Sequence, residues 1–335
     1  MFDEYKDHDI SVYGGYIDDN SKLLQSASGG VATALAEHML ERGGYVAGVA
    51  YSRDFYNAEY IMIHDKTEVD RLKGSKYVEC DKKTIYADVK KLIESGEQVL
   101  FFGLPCVVAA LYKFIGSRPE NLFTCELICH GPTSPKVHQE YVNYLENKYQ
   151  SKIIDFSVRH KKEAWLPIYL YAKFENGQIF EKPFYETEYG YAFSVFGKES
   201  CFRCMYKGNN RQGDIMIGDF WGATADDIYW NKNGVSSIFA ETVKGNDFLQ
   251  ATPPSIRLFP TTFEKIVERN QIVIRSRRRS NELEKFSKLL SKKGLIYATK
   301  HSISFKKKLI RTAALIIPSG LKPTAKKVYQ RLKGK

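Results

Sequence analysis

Short apolar segments alternate with helix-period segments through the first third of this 335-residue chain. Residues 45–51 (YVAGVAY) and 98–102 (QVLFF) have the length and apolar character of buried strands. Residues 28–42 and 84–95 repeat apolar side chains at three- and four-residue spacing, which predicts helices. This alternation favours an α/β body, with α+β character, in which helices flank a partly parallel sheet.

The middle of the chain has a different pattern. Residues 155–159, 168–174 and 178–184 are predicted strands, and the last two are joined at Asn176-Gly177. That dipeptide is the strongest short-range signal for a hairpin. We therefore expect an antiparallel region here.

These patterns suggest three parts. Residues 1–97 form an N-terminal α/β part with a glycine-rich turn, and residues 98–260 form a domain that carries five of the six cysteines. Residues 261–335 form a helical, basic extension, with RSRRRS at 275–280 and an amphipathic stretch at 283–290.

The formal charge of +11 comes from the end of the chain. Residues 300–335 contain eleven Lys or Arg and no Asp or Glu, so the rest of the chain is formally neutral. A basic groove for nucleic acid is therefore not expected. Residues 305–317 (FKKKLIRTAALII) are basic, then apolar. Such a segment can lie on an anionic membrane surface, or it can be a solvated helix packed on the body or a disordered end.

The chain begins with polar, acidic residues and has no stretch of about 20 apolar residues. We expect a cytoplasmic protein, with peripheral contact to the cytoplasmic membrane face as one interpretation of the basic tail. In that compartment, six cysteines argue against three structural disulfides. Metal binding, redox chemistry and buried thiols remain.

Four cysteines have positions that suit a metal centre. Cys201 and Cys204 form a CxxC, which fits zinc, an iron–sulfur cluster or a redox dithiol. Cys106 follows a predicted strand, with Pro105 at the first position of a helix whose dipole stabilises a thiolate. Cys129 follows the next apolar segment, so the two strand ends would share one sheet edge if the strands are neighbours. The alternative is a CxxC with unrelated thiols, and Cys80 and Cys125 are interpreted as buried thiols.

A glycine-rich turn at residues 25–33 (QSASGGVAT) precedes a predicted helix. Its open amide groups suit an anion or phosphate, although it is neither a Walker A motif nor a dinucleotide GxGxxG. The alternative is a capped helix start with Ser26 or Ser28 as the N-cap.

Two further segments carry candidate ligand contacts. In DIMIGDFWG (214–222), Asp219 could orient a ligand and Trp221 could shield a cofactor, or both could belong to a tight turn. In RHKKEAW (159–165), Arg159 and Lys161 lie near a tryptophan, which suits a phosphate or a flavin edge, or a solvated strand end.

Seven segments, in this order, resemble the coenzyme F-420 hydrogenase/dehydrogenase beta-subunit family and cover about residues 20–260. They are SASGGVATAL (26–35), KGSKYV (73–78), FFGLPCVVAAL (101–111), ICHGPTSPKV (128–137), RHKKEAW (159–165), CFRCMYKGNNRQGDIMIGDFWG (201–222) and GVSSIFAETVKG (234–245).

The resemblance implies one [4Fe-4S] cluster beside one FAD, with residues 98–260 as the C-terminal family domain. The family's cluster ligands correspond to Cys106, Cys129, Cys201 and Cys204, while Cys80 and Cys125 fall outside the pattern. We expect His130 and Lys76 to be the catalytic candidates, with a purely structural histidine as the alternative for His130. The expected cofactor contacts are Ser26, Ser28, Gly29, Gly30, Thr33, Lys76, Tyr77, Gly103, Arg159, Lys161, Asp219 and Trp221.

The implied activity is that of an oxidoreductase. Hydride would be exchanged at the flavin with a carrier or a small, polysaccharide-related substrate, and single electrons would pass through the cluster. Many relatives carry an N-terminal ferredoxin module with a CxxCxxCxxxC run, which this sequence lacks. We therefore expect a separate ferredoxin, flavodoxin or partner subunit. The alternatives are a non-catalytic electron-transfer subunit of a larger complex and a binding module in which zinc is held by four cysteines.

Overall fold

The structure, a computed structural model, describes residues 10–252 and 256–303. Its strands are β1 (Ser11–Ile17), β2 (Tyr45–Tyr51), β3 (Ala58–Ile63), β4 (Val99–Gly103), β5 (Leu122–Leu127), β6 (Ile153–His160), β7 (Tyr169–Phe174), β8 (Ile179–Pro183), β9 (Ile215–Asp219), β10 (Ser236–Ala240) and β11 (Ile256–Pro260). Its helices are α1 (Asn20–Gln25), α2 (Val31–Glu41), α3 (Val69–Leu72), α4 (Ile85–Glu94), α5 (Pro105–Ile115), α6 (Pro135–Tyr149), α7 (Glu188–Val195), α8 (Glu199–Phe202), α9 (Val243–Ala251), α10 (Phe263–Arg269), α11 (Leu283–Lys293) and α12 (Leu295–Ser302).

One eight-stranded sheet organises the body, in the order β11-β1-β10-β9-β5-β4-β2-β3. The strands β2, β4, β5 and β9 run parallel, and the outer pairs are antiparallel. In β4, Val99, Leu100 and Phe101 are fully buried, so both faces of the strand are covered, as is usual in parallel sheets. The predicted α/β fold with a partly parallel sheet is confirmed.

A second, three-stranded antiparallel sheet contains β6, β7 and β8. The hairpin between β7 and β8 turns at Gly177, whose φ of 82° lies in the left-handed region that favours glycine. The predicted antiparallel middle region and its Asn-Gly turn are therefore present.

The chain divides into two compact units, residues 1–279 and 280–335. Strands from residues 1–97 and from 98–260 share the large sheet of the first unit. The described part of the second unit is the helix pair α11 and α12, with Phe286, Leu290 and Ala298 buried. The predicted amphipathic stretch at 283–290 lies in α11, whereas the basic segment 305–317 lies outside the described residues. None of the described helices is long and apolar enough to cross a membrane.

The glycine-rich turn begins α2 differently from the expected capped start. The N-cap is Gly30, with a φ of 81° and no side-chain cap. Neither serine caps α2. The Ser26 hydroxyl donates to the Lys22 carbonyl, one turn earlier, at 2.7 Å, and the Ser28 hydroxyl donates to the distant Val235 carbonyl at 2.9 Å. The alternative of Ser26 or Ser28 as the N-cap was therefore wrong.

Gly29 has no room for a side chain. A Cβ there would lie 2.3 Å from the Gly15 carbonyl oxygen and 2.7 Å from the Ser236 nitrogen, both backbone atoms. We expect Gly29→Ala to lower the free energy of unfolding by about 1–3 kcal/mol or more, the range for overpacking. Denaturant unfolding measures this. Ser28→Ala, which removes one hydrogen bond from the same turn, should cost only about 1 kcal/mol, and equal losses would contradict the steric argument.

Candidate functional site

The two predicted strand-end cysteines lie at one edge of the large sheet. Strands β4 and β5 are parallel neighbours, so their carboxyl ends meet at the same edge. Pro105 is the first residue of α5, which places Cys106 in the opening turn, as predicted. Cys129 follows the end of β5 by two residues. The sheet therefore brings the chain around both thiols to the edge at which α/β folds bind ligands.

Gly131 connects the Cys129 loop to the CxxC. Its amide donates to the Cys129 sulfur at 3.2 Å. A Cβ on Gly131 would lie 3.2 Å from the Cys201 sulfur, and the residue has a φ of 87°. The glycine therefore lies close to both sulfurs, and it allows the CxxC loop to approach the Cys129 loop.

The cysteine charges act on the ionisation of Cys106 and Cys129. Burial raises the pKa of the Cys106 thiol, and the charges of Cys204 and Cys201 raise it further. Burial raises the pKa of Cys129 to about 11, and the charges of Cys106 and Cys201 add to this rise. The hydrogen bond from the Gly131 amide and the charge of Lys207 act in the opposite direction. Within the described residues, no group of three or more His, Cys, Asp or Glu side chains is placed to hold a metal ion. The thiols are neighbours, but they do not close around a single ion.

Three cations lie around these thiols. Lys207 donates to the Cys129 carbonyl at 2.8 Å and to the Ile272 carbonyl at 2.7 Å. Burial and the Arg211 guanidinium lower the pKa of Lys207, and the charges of three of the cysteines raise it. Burial likewise lowers the pKa of Arg211 and of Arg277, and cysteine charges oppose the shift at both. Three basic side chains therefore lie close enough to the thiols for their charges to interact.

Residues of the RSRRRS segment support the CxxC loop, which the sequence did not indicate. The Ser276 hydroxyl accepts from the Cys204 amide at 2.9 Å. Just before the segment, the Val273 carbonyl accepts from Gly208 and from Arg211. The supporting cations were missed as well. The available signal was the position of Lys207 and Arg211, three and seven residues after the CxxC.

A buried ion pair lies next to the glycine-rich turn. Arg159 donates to both carboxylate oxygens of Asp219, at 2.9 and 2.6 Å, and to the Tyr77 hydroxyl at 3.2 Å. The Arg159 side chain is only 2% exposed and that of Asp219 is 17% exposed. Burial disfavours the charge on Arg159, but Asp219 and Tyr77 raise its pKa above the usual value. Three predicted contacts, Arg159, Asp219 and Tyr77, are therefore in one network.

Aromatic side chains continue this network into a cavity. Trp165 and Trp221 stack with ring centroids 5.1 Å apart, and the Arg159 guanidinium lies 5.7 Å from the Trp221 ring. A cavity of about 750 Å³ is lined by Trp221, Leu166, Tyr185 and neighbouring residues that are apolar except for Glu186. Within the described residues, Arg159 Nε and Trp165 Nε1 are buried without a hydrogen-bond partner. Such donors suit the acceptor atoms of a planar heterocycle.

Lys161 holds the glycine-rich turn closed. Its ammonium donates to the carbonyls of Leu23 and Ser28, at 2.7 and 2.6 Å. The Gly29 amide donates to the Ser236 hydroxyl at 3.0 Å. That amide is therefore used within the fold, which leaves fewer of the turn's amides for an anion.

The buried position of Lys161 predicts a pH dependence of stability. Burial and the Arg159 charge lower the pKa of Lys161 to about 7, although the Asp219 charge raises it. The unfolded lysine titrates near 10.4, so between these values the unfolded chain binds a proton that the native chain does not. This group's contribution therefore makes the native state more stable as the pH rises from about 7 to 10. Denaturant unfolding should show a weaker rise for Lys161→Met, and an unchanged slope would contradict this assignment.

Lys76 caps a helix end. Its ammonium donates to four successive carbonyls, those of residues 71–74, at 2.8 to 3.3 Å, at the end of α3. Burial lowers the pKa of Lys76 to about 7.

His130 is exposed as a residue, yet the protein around its ring and the Lys207 charge lower the pKa of the imidazole to about 4. The remaining predicted contacts, Ser26, Thr33 and Gly103, are buried.

The two cysteines outside the pattern differ from each other. Cys125 is fully buried in β5, as predicted. Cys80 is only half-buried and lines a separate cavity of about 440 Å³. Cys80 nevertheless packs against a hydrophobic core cluster, and burial raises the pKa of its thiol, while its neighbour Asp81 pairs with Glu59 of β3.

Two family profiles match most of the chain. Residues 12–82 match the N-terminal part of the coenzyme F420 hydrogenase/dehydrogenase beta subunit, and residues 96–258 match its C-terminal part. The chain belongs to this family. The beta-subunit family is one of hydrogenase and dehydrogenase subunits, and hence of oxidoreductases. No protein of curated function matches the chain.

Structural comparison agrees on the fold. A chain of the F420-reducing [NiFe] hydrogenase complex from Methanosarcina barkeri superposes with a TM-score of 0.52 at 18% sequence identity. The match covers 78% of this chain and 89% of that one. At this identity the likeness shows a shared fold, and that neighbour comes from a multi-subunit complex.

Proposed function

We propose that this beta-subunit family member is an iron–sulfur flavoprotein oxidoreductase, with one [4Fe-4S] cluster on Cys106, Cys129, Cys201 and Cys204 and one FAD beside it. The observation that carries the proposal is the group of four thiols surrounded by three buried or half-buried cations. Thiolates are the ligands that such clusters take, and fixed cations balance their charge.

The donor set favours a cluster over a single zinc ion. A cubane cluster takes one thiolate on each of four irons, so its ligands stand further apart than those of one tetrahedral ion. The match to an oxidoreductase family favours the redox-active cluster, because zinc does not change its oxidation state.

The chain's own residues would position the flavin. Trp221 and the other walls of the aromatic cavity offer flat apolar faces, and Arg159 Nε and Trp165 Nε1 are unpartnered donors beside them. Asp219 fixes the Arg159 guanidinium, so that the cation cannot swing away. The turn at residues 26–30 would meet the flavin's phosphates with the start of α2.

When bound, a flavin exchanges electron pairs as hydride and a cluster passes electrons singly. His130 follows a proposed ligand directly, and with its lowered pKa the ring stays neutral, so it can accept or donate a hydrogen bond. Lys76 holds the loop that leads to Tyr77. The substrate would be a hydride carrier or a small, polysaccharide-related molecule that exchanges hydride with the bound flavin. Electrons would come from a separate ferredoxin, flavodoxin or partner subunit.

Composition of the anaerobically purified chain tests the proposal. We expect a brown-yellow protein with about four irons, about four acid-labile sulfides and one flavin per chain. Iron and sulfide assays, flavin released by denaturation and low-temperature EPR of the reduced protein measure these quantities. A colourless protein with one zinc per chain would establish the binding-module alternative instead.

A further inference from the structure

A buried ion pair, Arg211 and Glu126, lies beside the cysteine group without belonging to it. The two side chains are 4% and 0% exposed. The closest approach, from Arg211 Nη1 to Glu126 Oε2, is 4.0 Å, which is too long for a hydrogen bond. Two charges are therefore buried near each other and attract without a direct hydrogen bond.

Each member is fixed from one side only. Glu126 Oε1 accepts from the amides of Gln212 and Gly213, both at 3.0 Å. Arg211 Nη2 donates to the Val273 carbonyl at 2.5 Å. Within the described part of the chain, Arg211 Nε, Arg211 Nη1 and Glu126 Oε2 are buried without a hydrogen-bond partner. Burying the donors of a charged group without hydrogen-bond partners costs folding free energy, so an acceptor beside the Arg211 guanidinium would stabilise it.

The cysteine group supplies negative charge on the same side. Burial lowers the pKa of Arg211, and the charges that oppose this shift are those of Glu126, Glu241, Cys204 and Cys129. The Arg211 guanidinium therefore lies within electrostatic range of Glu126 and of two of the proposed ligands, Cys204 and Cys129.

We propose that Arg211 is a positioning residue that sets the reduction potential of the cluster, with Glu126 as its counter-charge; this rests on the proposed function. Reduction adds one electron, and hence one negative charge, to the cluster. A fixed positive charge in a poorly solvated site stabilises that reduced form, and N–H donors directed at cluster sulfurs act in the same direction. Glu126 weakens the effect because it neutralises part of the guanidinium charge.

The test uses the anaerobically purified full chain and four variants, Arg211→Gln, Glu126→Gln, the double variant and Arg118→Gln. Arg118 is the matched control, since it is exposed and donates to Gln212 in the same loop, at 2.8 and 2.9 Å. Each protein is titrated with dithionite and mediators at one pH, and the reduced cluster is followed by EPR. We expect Arg211→Gln to disfavour reduction at least tenfold, which is 59 mV for one electron. Glu126→Gln should favour reduction, and Arg118→Gln should match the wild type.

The double variant keeps the test decisive if Arg211→Gln alone fails to assemble, because it removes the charge of Glu126 together with that of Arg211. The double variant differs from Glu126→Gln only at residue 211. Its reduction potential should therefore lie at least about 59 mV lower, which corresponds to a tenfold change in the equilibrium constant for reduction. Equal potentials in that pair would overturn the proposal. So would loss of the cluster from both Arg211 variants while Glu126→Gln keeps it, because Arg211 would then act in assembly. A wild-type chain without a cluster would instead refute the proposed function.

Discussion

Cys129→Ser should lose most of the iron bound by the wild-type chain. Cys129 lies close to Gly131, whose amide donates to its sulfur, and its charge acts on Lys207, Arg211 and Arg277. A serine hydroxyl is a poor ligand for iron because it does not ionise in the range in which a thiolate forms. We expect iron and sulfide per chain to fall at least severalfold, together with the cluster's EPR signal.

Cys80→Ser is the matched control. Cys80 is half-buried and lies outside the four-cysteine group, so its replacement should leave iron and sulfide at wild-type levels. Circular dichroism shows whether Cys129→Ser is still folded. A folded Cys129→Ser protein with full iron content, or equal losses in the two variants, would remove Cys129 from the proposed ligand set.

The strands and most helices could be predicted because their patterns are local. The predicted strand at 45–51 matches β2 residue for residue, and Pro105 begins α5 as expected. The approach of Cys106 and Cys129 followed from one further assumption, that their strands are neighbours, and the parallel pairing of β4 with β5 fulfils it. Each of these local patterns determines the structure of its own segment: a short apolar segment favours a buried strand, a proline favours the first turn of a helix, and Asn-Gly favours a hairpin turn.

The parts that could not be predicted depend on contacts between distant residues. Ser28 was a plausible N-cap by its position, but its hydroxyl bonds to Val235, 207 residues away. The pairing of Arg159 with Asp219 joins β6 to β9, and neither segment indicates the other.

The same Arg159–Asp219 pair should dominate the stability of the cavity wall. Arg159→Met leaves the Asp219 carboxylate without its bidentate partner in a mostly buried position. Removing one member of a buried pair costs about 3–5 kcal/mol, since the remaining charge is uncompensated. We expect a loss of that order in the free energy of unfolding, measured with denaturant, together with loss of bound flavin.

Two comparisons separate charge from packing. The double variant Arg159→Met/Asp219→Asn removes both charges, so it should recover much of the stability and still bind flavin poorly, because Arg159 Nε is absent. Lys162→Met removes a cation from an exposed pair with Glu181, directly after the proposed site residue Lys161, and should change neither property. If the double variant were as unstable as Arg159→Met, the loss would come from packing against Trp221 rather than from an unpaired charge. If Arg159→Met kept its flavin at wild-type stoichiometry, the flavin would not depend on this guanidinium, and its placement beside the Trp165–Trp221 stack would be wrong.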